Sequence, residues 1–159
     1  MNEKRTILVA DDNGDDFFLL RQAFAKAGVT EPLTPVENGA QAIAYLRGDG
    51  IYSDREKYPW PALMLLDLKM PGVDGFEVLY WWQQQEHLSM LPIVVLSSSS
   101  RDADIQKAIS MGAEGFCVKP AGFDYFVVVA RELHQRWLAP ETAVKPGSRW
   151  LALNRHRSV

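Results

Sequence analysis

Residues 62–67, ALMLLD, run apolar without a break until they meet a carboxylate. A strand with one wet face would alternate. An unbroken run fits a strand covered on both faces, as in a parallel sheet between two helical layers. Two more runs share the design. ILVA (7–10) ends at Asp11 and Asp12, and PIVVLS (92–97) ends at Ser97. GFCVKP (115–120) is a shorter fourth run, which reaches Lys119 and is stopped by proline. LTPV (33–36) is weak: Pro35 lacks a donor, which places this strand at a sheet edge.

Amphipathic stretches separate the runs. Asp15 or Asp16 can cap a helix to about Ala27, with Phe17, Leu20, Ala23 and Phe24 on one face and Gly28 closing it. Residues 39–46 read as a short helix with Ala42, Ile43 and Leu46 inward. Asp74 caps a helix through about Glu86, and Gly112 ends a helix over 102–111. A long, very apolar helix spans about 123–138. Strand and helix thus alternate five times. The expected fold is α/β, a doubly wound, five-stranded parallel sheet with five helices. The connection 48–61 enters the third strand at its amino end, so it serves structure or a partner and is no lid over the carboxyl edge. From Pro140 the pattern stops. Residues 140–159, with Lys145, Arg149, Arg155 and Arg157 against Glu141, are expected to form a mobile tail.

At 159 residues one domain is the natural size. Twenty acids against 17 Lys and Arg argue against general nucleic-acid binding. The single Cys117 excludes an intrachain disulfide or a multi-cysteine zinc site and fits a reducing cytosol. No signal-peptide pattern and no membrane-length apolar stretch are present, so the expected place is the cytoplasm. His87, His134 and His156 have no metal-ligand spacing.

The chemistry lies where polar residues interrupt the apolar runs. Carboxyl ends of parallel strands meet at one edge, where ligands bind. Asp11, Asp12 and Asp67 therefore converge on one cleft with Ser97 and Lys119. Three carboxylates in one place need a proton or a cation, and a hard dication with oxygen ligands, Mg²⁺, answers that need. A carboxylate can attack phosphorus and form an acyl phosphate. Asp67, on the central strand, is the natural nucleophile. Mg²⁺, Lys119 and the Ser97 hydroxyl can neutralise phosphoryl oxygens, and the Lys69 carbonyl is a plausible third protein ligand for the metal.

The ordered set ILVADD, LLDLKMPG, VVLSS and GFCVKP resembles the receiver domain of bacterial two-component response regulators, the CheY-like family, from about Arg5 to Leu138. The resemblance implies a flavodoxin-like strand order 2-1-3-4-5, a receiver over 5–139 and a tail over 140–159. It makes Asp67 the phosphoacceptor. Asp12 would hold Mg²⁺ directly and Asp11 largely through water, with Asp67 and the Lys69 carbonyl completing the protein ligands. Ser97 matches the switch hydroxyl, Lys119 the phosphate-binding lysine and Phe116 the switch aromatic. Pro120 matches a proline that typically follows a cis peptide. The implied mechanism draws Ser97 inward on phosphorylation, moves the aromatic, and remodels the face of the fourth helix, fifth strand and fifth helix. YSDREKYPWP, DNGDD and the aromatic last helix look like small regulators that serve phytochrome-type histidine kinases.

The expected function is a signalling switch with self-catalysed phosphoryl chemistry, phosphorylated by a sensor histidine kinase. After the last helix about twenty residues remain, so output is expected through protein contact or phosphate relay. A turnover phosphatase would place a second acid two residues after its nucleophile, where Lys69 stands. The alternative is a receiver-like adaptor that is never phosphorylated. Phe116 lacks a tyrosine's hydroxyl, Ser98 replaces the usual alanine, and Lys69 stands near the phosphoryl position. The last helix carries more apolar residues than one stripe needs: beside Phe126, Val129, Ala130, Leu133 and Trp137 stand Tyr125, Val128 and Phe123 or Val127. That surplus suggests a homodimer across the fourth helix, fifth strand and fifth helix. Trp81 and Trp82 cannot both face the core, so one is a candidate for a partner surface.

Overall fold

A computed structural model of the chain describes residues 5–139 and 149–153. β1 (Thr6–Ala10), β3 (Pro61–Leu66) and β4 (Ile93–Ser97) form the middle of one sheet, and β2 (Leu33–Val36) lies at one margin. β5 (Gly115–Val118) and β6 (Trp150–Ala152) complete the other side. The order is β2-β1-β3-β4-β5-β6, and every pairing is parallel. The first five strands have the expected order, and the strand containing Pro35 is marginal as expected.

Alternate strand residues serve opposite faces. Leu8, Met64, Leu66, Val95 and Phe116 pack under α2 (Gly39–Arg47), α3 (Gly75–Gln83) and α4 (Asp102–Ser110). Ile7, Val9, Leu65, Val94 and Cys117 pack under α1 (Gly14–Lys26) and α5 (Phe123–Leu133). Each such side chain, fully buried, contributes roughly 1.5–3 kcal/mol of transfer energy. This two-sided burial explains why the strand sequences do not alternate.

The cap of α1 differs from expectation. Asn13 holds it, its Oδ1 accepting from the amides of Asp15 at 3.0 Å and Asp16 at 3.1 Å. Asp15 and Asp16 stand instead in the first helical turn, where the positive end of the helix favours carboxylates. Asp74 does cap α3, accepting from the Glu77 amide at 2.9 Å. The helix stops at Gln83, short of Glu86, and a separate 3-10 turn spans Glu86–Leu88. α5 continues as a π turn over His134–Leu138. Among the described residues no peptide is cis, so the bond before Pro120 is trans, contrary to what the resemblance implies.

Part of the expected tail belongs to the sheet. Gly115, Phe116 and Cys117 pair with Trp150, Leu151 and Ala152. Trp150 is buried and meets Trp137 edge-on, with ring centroids 6.1 Å apart. Without β6, β5 would present an unpaired row of backbone donors and acceptors. Covering that row and burying an indole outweigh ordering three residues. Residues 140–148 and 154–159, with Lys145, Arg155 and Arg157, lie outside the described residues.

The apolar surplus of α5 is largely absorbed. Phe126, Val127, Val129, Ala130 and Leu133 are buried, and Phe123, Tyr125 and Trp137 pack on the same cluster. Val128 remains 42% exposed. Trp81 and Trp82 both pack partly buried against the other cluster, and Trp82 donates to the Leu88 carbonyl at 3.0 Å. The 48–61 connection is tied down by aromatic contact: Tyr52 and Tyr58 lie 5.0 and 6.0 Å from the Tyr45 ring. No helix among the described residues is long and apolar enough to cross a membrane.

Candidate functional site

Three backbone hydrogen bonds set the site. Asp11 N–H donates to Val36 O at 3.0 Å, Asp67 to Ala10 O at 2.9 Å, and Lys119 to Ser97 O at 2.8 Å. Each residue stands just past its own strand, yet each amide is still held by the neighbouring strand. The side chains are thereby brought together at the carboxyl edge by rigid elements.

Lys119 is the centre of the cluster. Its ammonium meets Asp11 Oδ2 at 2.8 Å, Asp16 Oδ2 at 2.8 Å and Asp67 Oδ2 at 3.1 Å. Its side chain is 13% exposed, and those of Asp11 and Asp67 are 5% and 7%. Burial alone would lower the lysine's pKa. Hydrogen bonds to Asp11 and Asp16 and the charge of Asp67 prevail, and hold it above its usual range. Its contribution to stability is therefore intact at neutral pH and is lost only as pH rises through the far alkaline range. Asp11 is also raised. Burial dominates there, and bonds from Lys119 and the Asn13 amide only partly oppose it.

Asp11, Asp12 and Asp67 each offer an oxygen within 4.8 Å of the others. Asp12 is exposed, whereas Asp11 and Asp67 are buried. A buried carboxylate raised by desolvation, beside two further carboxylates, is what a hard dication relieves, so this donor set fits one. Asp67 Oδ1 also accepts from the Lys69 amide at 3.2 Å, which turns the chain after β3 around the carboxylate. The Lys69 side chain is exposed.

Ser97 is buried at the exit of β4, where its hydroxyl accepts from the Ser99 amide at 3.3 Å. Ser99 in turn donates to Asp104 Oδ2 at 2.6 Å, tying this loop to α4. Among the described residues Ser97 makes no side-chain hydrogen bond to Asp67 or Lys119. Phe116 is fully buried, between Val95 of β4 and Leu151 of β6 in the sheet. Asp16 is the member that sequence reasoning missed. Its available signal was a carboxylate in the first turn after a strand exit, a position that overlooks the carboxyl edge.

Residues 7–131 match the response regulator receiver domain family. The chain belongs to that family. Among similar receivers, Rcp1 of Synechocystis sp. is 28% identical over 147 residues, covering 92% of this chain and 97% of Rcp1. Response regulator RPA3017, described in red light signaling of R. palustris, is 35% identical, with a TM-score of 0.81 over 91% of this chain and 99% of its own. The phosphorylated cyanobacterial phytochrome response regulator RcpA is 31% identical, with a TM-score of 0.79 over 91% and 99%. The receiver is thus a phosphorylation-based regulatory domain related to phytochrome response regulators. A crystal structure of the Mn(2+)-bound form of response regulator Rcp1 is 28% identical, with a TM-score of 0.75 over 89% of this chain and 99% of that one.

Proposed function

We propose that this receiver accepts a phosphoryl group on Asp67 from a sensor histidine kinase of phytochrome type. The observation that carries the proposal is the lysine ammonium held against Asp67 at the edge where Asp11 and Asp12 also converge. An Asp67 oxygen attacks the phosphorus of a phosphohistidine. The new P–O bond forms as the P–N bond breaks, and the ring nitrogen keeps the electron pair. In hydrolysis, water attacks the phosphorus, the bond to Asp67 breaks, and phosphate leaves with the carboxylate restored. Asp11, Asp12, Asp67 and the Lys69 carbonyl would hold Mg²⁺, which neutralises phosphoryl charge when bound. Lys119 takes one phosphoryl oxygen. The Ser97 hydroxyl leaves the Ser99 amide for another, and Phe116 responds through packing alone.

Intact mass after incubation with acetyl phosphate tests this. One phosphoryl group is expected, only with Mg²⁺, and none in Asp67→Asn. Folded protein that gains nothing under any condition would instead support a phosphorylation-independent adaptor.

The reading extends to a homodimer across α4, β5 and α5, with narrower support than the apolar count of α5 implies. On that side Val128 of α5 and Leu151 of β6 are exposed large apolar residues. Sedimentation with beryllofluoride bound is expected to give a doubled mass. A monomer at every concentration removes the dimer and leaves the phosphoacceptor untouched.

A further inference from the structure

An ammonium has three hydrogens to donate. At Lys119 three carboxylates are already in place to receive them. Two of these, Asp11 and Asp67, belong to the group of oxygens that can surround a dication. The third, Asp16, does not. Its carboxylate comes from α1 and reaches Lys119 across the cleft at 2.8 Å. Asn13 fixes it there, because the cap holds the Asp16 amide and so the first turn of the helix. A phosphoryl group on Asp67 needs the same ammonium. It removes the Asp67 carboxylate from the competition, since that oxygen becomes part of the acyl phosphate. Asp11 has a cation to answer its charge. Asp16 keeps its full charge and its bond to the lysine.

We infer that Asp16 is a positioning residue that competes with the phosphoryl group for Lys119, and so weakens the phosphorylated state. This rests on Asp67 being the phosphoacceptor. The consequence is electrostatic and steric together. Asp16 holds the ammonium toward α1, away from the phosphoryl oxygens, and places a negative charge beside a developing dianion. Its side chain is 30% exposed, so water screens part of the repulsion, and the effect is moderate rather than decisive.

Beryllofluoride, which occupies the phosphoryl position without any transfer step, is the probe. Affinity is measured by calorimetry at saturating MgCl₂, beside the half-life of the aspartyl phosphate. Asp16→Asn is expected to bind about fivefold tighter than the unmutated chain and to hold its phosphoryl group correspondingly longer. Asp16→Glu keeps the charge and can still reach the lysine, and is expected to return both values toward the original. Asp15→Asn removes the same charge one residue away, from a side chain with no ion pair to Lys119, and is expected to change little. Equal or weaker binding in Asp16→Asn would overturn the inference. So would equal tightening in Asp15→Asn, which would reduce the effect to net charge. Failure of the unmutated chain to bind beryllofluoride removes the phosphoacceptor reading and this one together. A failure confined to Asp16→Asn removes this one alone.

Discussion

Lys119→Met is expected to lower the rate of labelling by acetyl phosphate by at least about 100-fold, the usual loss when a fixed donor to transition-state charge is removed. The same substitution is expected to cost about 3 kcal/mol in metal-free protein, because it strands buried carboxylates that were paired. Asp11 and Asp67 have almost no water to turn to. Two further results separate this cause from a generic loss of packing. Mg²⁺ should restore more stability to the variant than it adds to the unmutated chain, since it supplies the missing positive charge. Acid should help as well. Burial already raises Asp11, and with Lys119 gone the largest opposing contribution, its hydrogen bond, vanishes together with the attraction of its charge. A carboxyl raised in the fold adds stability below its unfolded pKa, and that contribution is lost as pH rises through the folded one. The urea midpoint of metal-free Lys119→Met should therefore rise on acidification from neutral pH. A midpoint that falls monotonically would mean that the stranded carboxylates are not the source of the loss.

Gly75→Ala is expected to be nearly as damaging, with no charge involved. A Cβ there would overlap the carbonyl oxygen of Asp67 and lie 2.7 Å from Leu68 Cα. Both are backbone and cannot swing aside. The Gly75 amide donates to Leu68 O at 3.0 Å, so helix and turn are held in this close approach. Forcing them apart should cost about 3 kcal/mol. It should also slow phosphorylation, because the displaced atoms carry Asp67. Gly14→Ala is the contrast. At the same place in α1, nothing lies within 4 Å of the added carbon. Denaturation of the two variants side by side decides the matter, and equal midpoints would contradict the geometry.

Much of the fold was legible because its strands are covered on both faces. ILVA, ALMLLD and PIVVLS leave little else to be, and each runs to a polar residue at the carboxyl edge, Asp11, Asp67 and Ser97. The site was legible for the same reason: strand exits in a parallel sheet share one edge, so Asp11, Asp67 and Lys119 could be placed together without coordinates. What stayed hidden needed partners distant in sequence. DNGDD offers several residues able to cap a helix, and local propensity does not choose Asn13 over the acids beside it. In sequence alone Asp16 is only another cap candidate, because its bond to Lys119 spans 103 positions. WLA at 150–152 is too short for any periodicity, and its pairing depends on an open edge at β5. How much of the apolar surplus of α5 is core was hidden for a related reason: α1, the sheet and Trp150 together cover a wider stripe than one neighbour would.

β6 also bears on how the protein behaves when concentrated. A sheet invites other chains only at its margins, by offering a long, regular row of free amides and carbonyls. Among the described residues one margin is a four-residue strand interrupted by Pro35, and the other is a strand of only three residues. Neither can template an extended cross-strand stack, while the more deeply buried β1, β3, β4 and β5 lie between them. Aggregation of this receiver should therefore require unfolding first, and its rate should follow the population of unfolded chain more closely than the concentration of native protein.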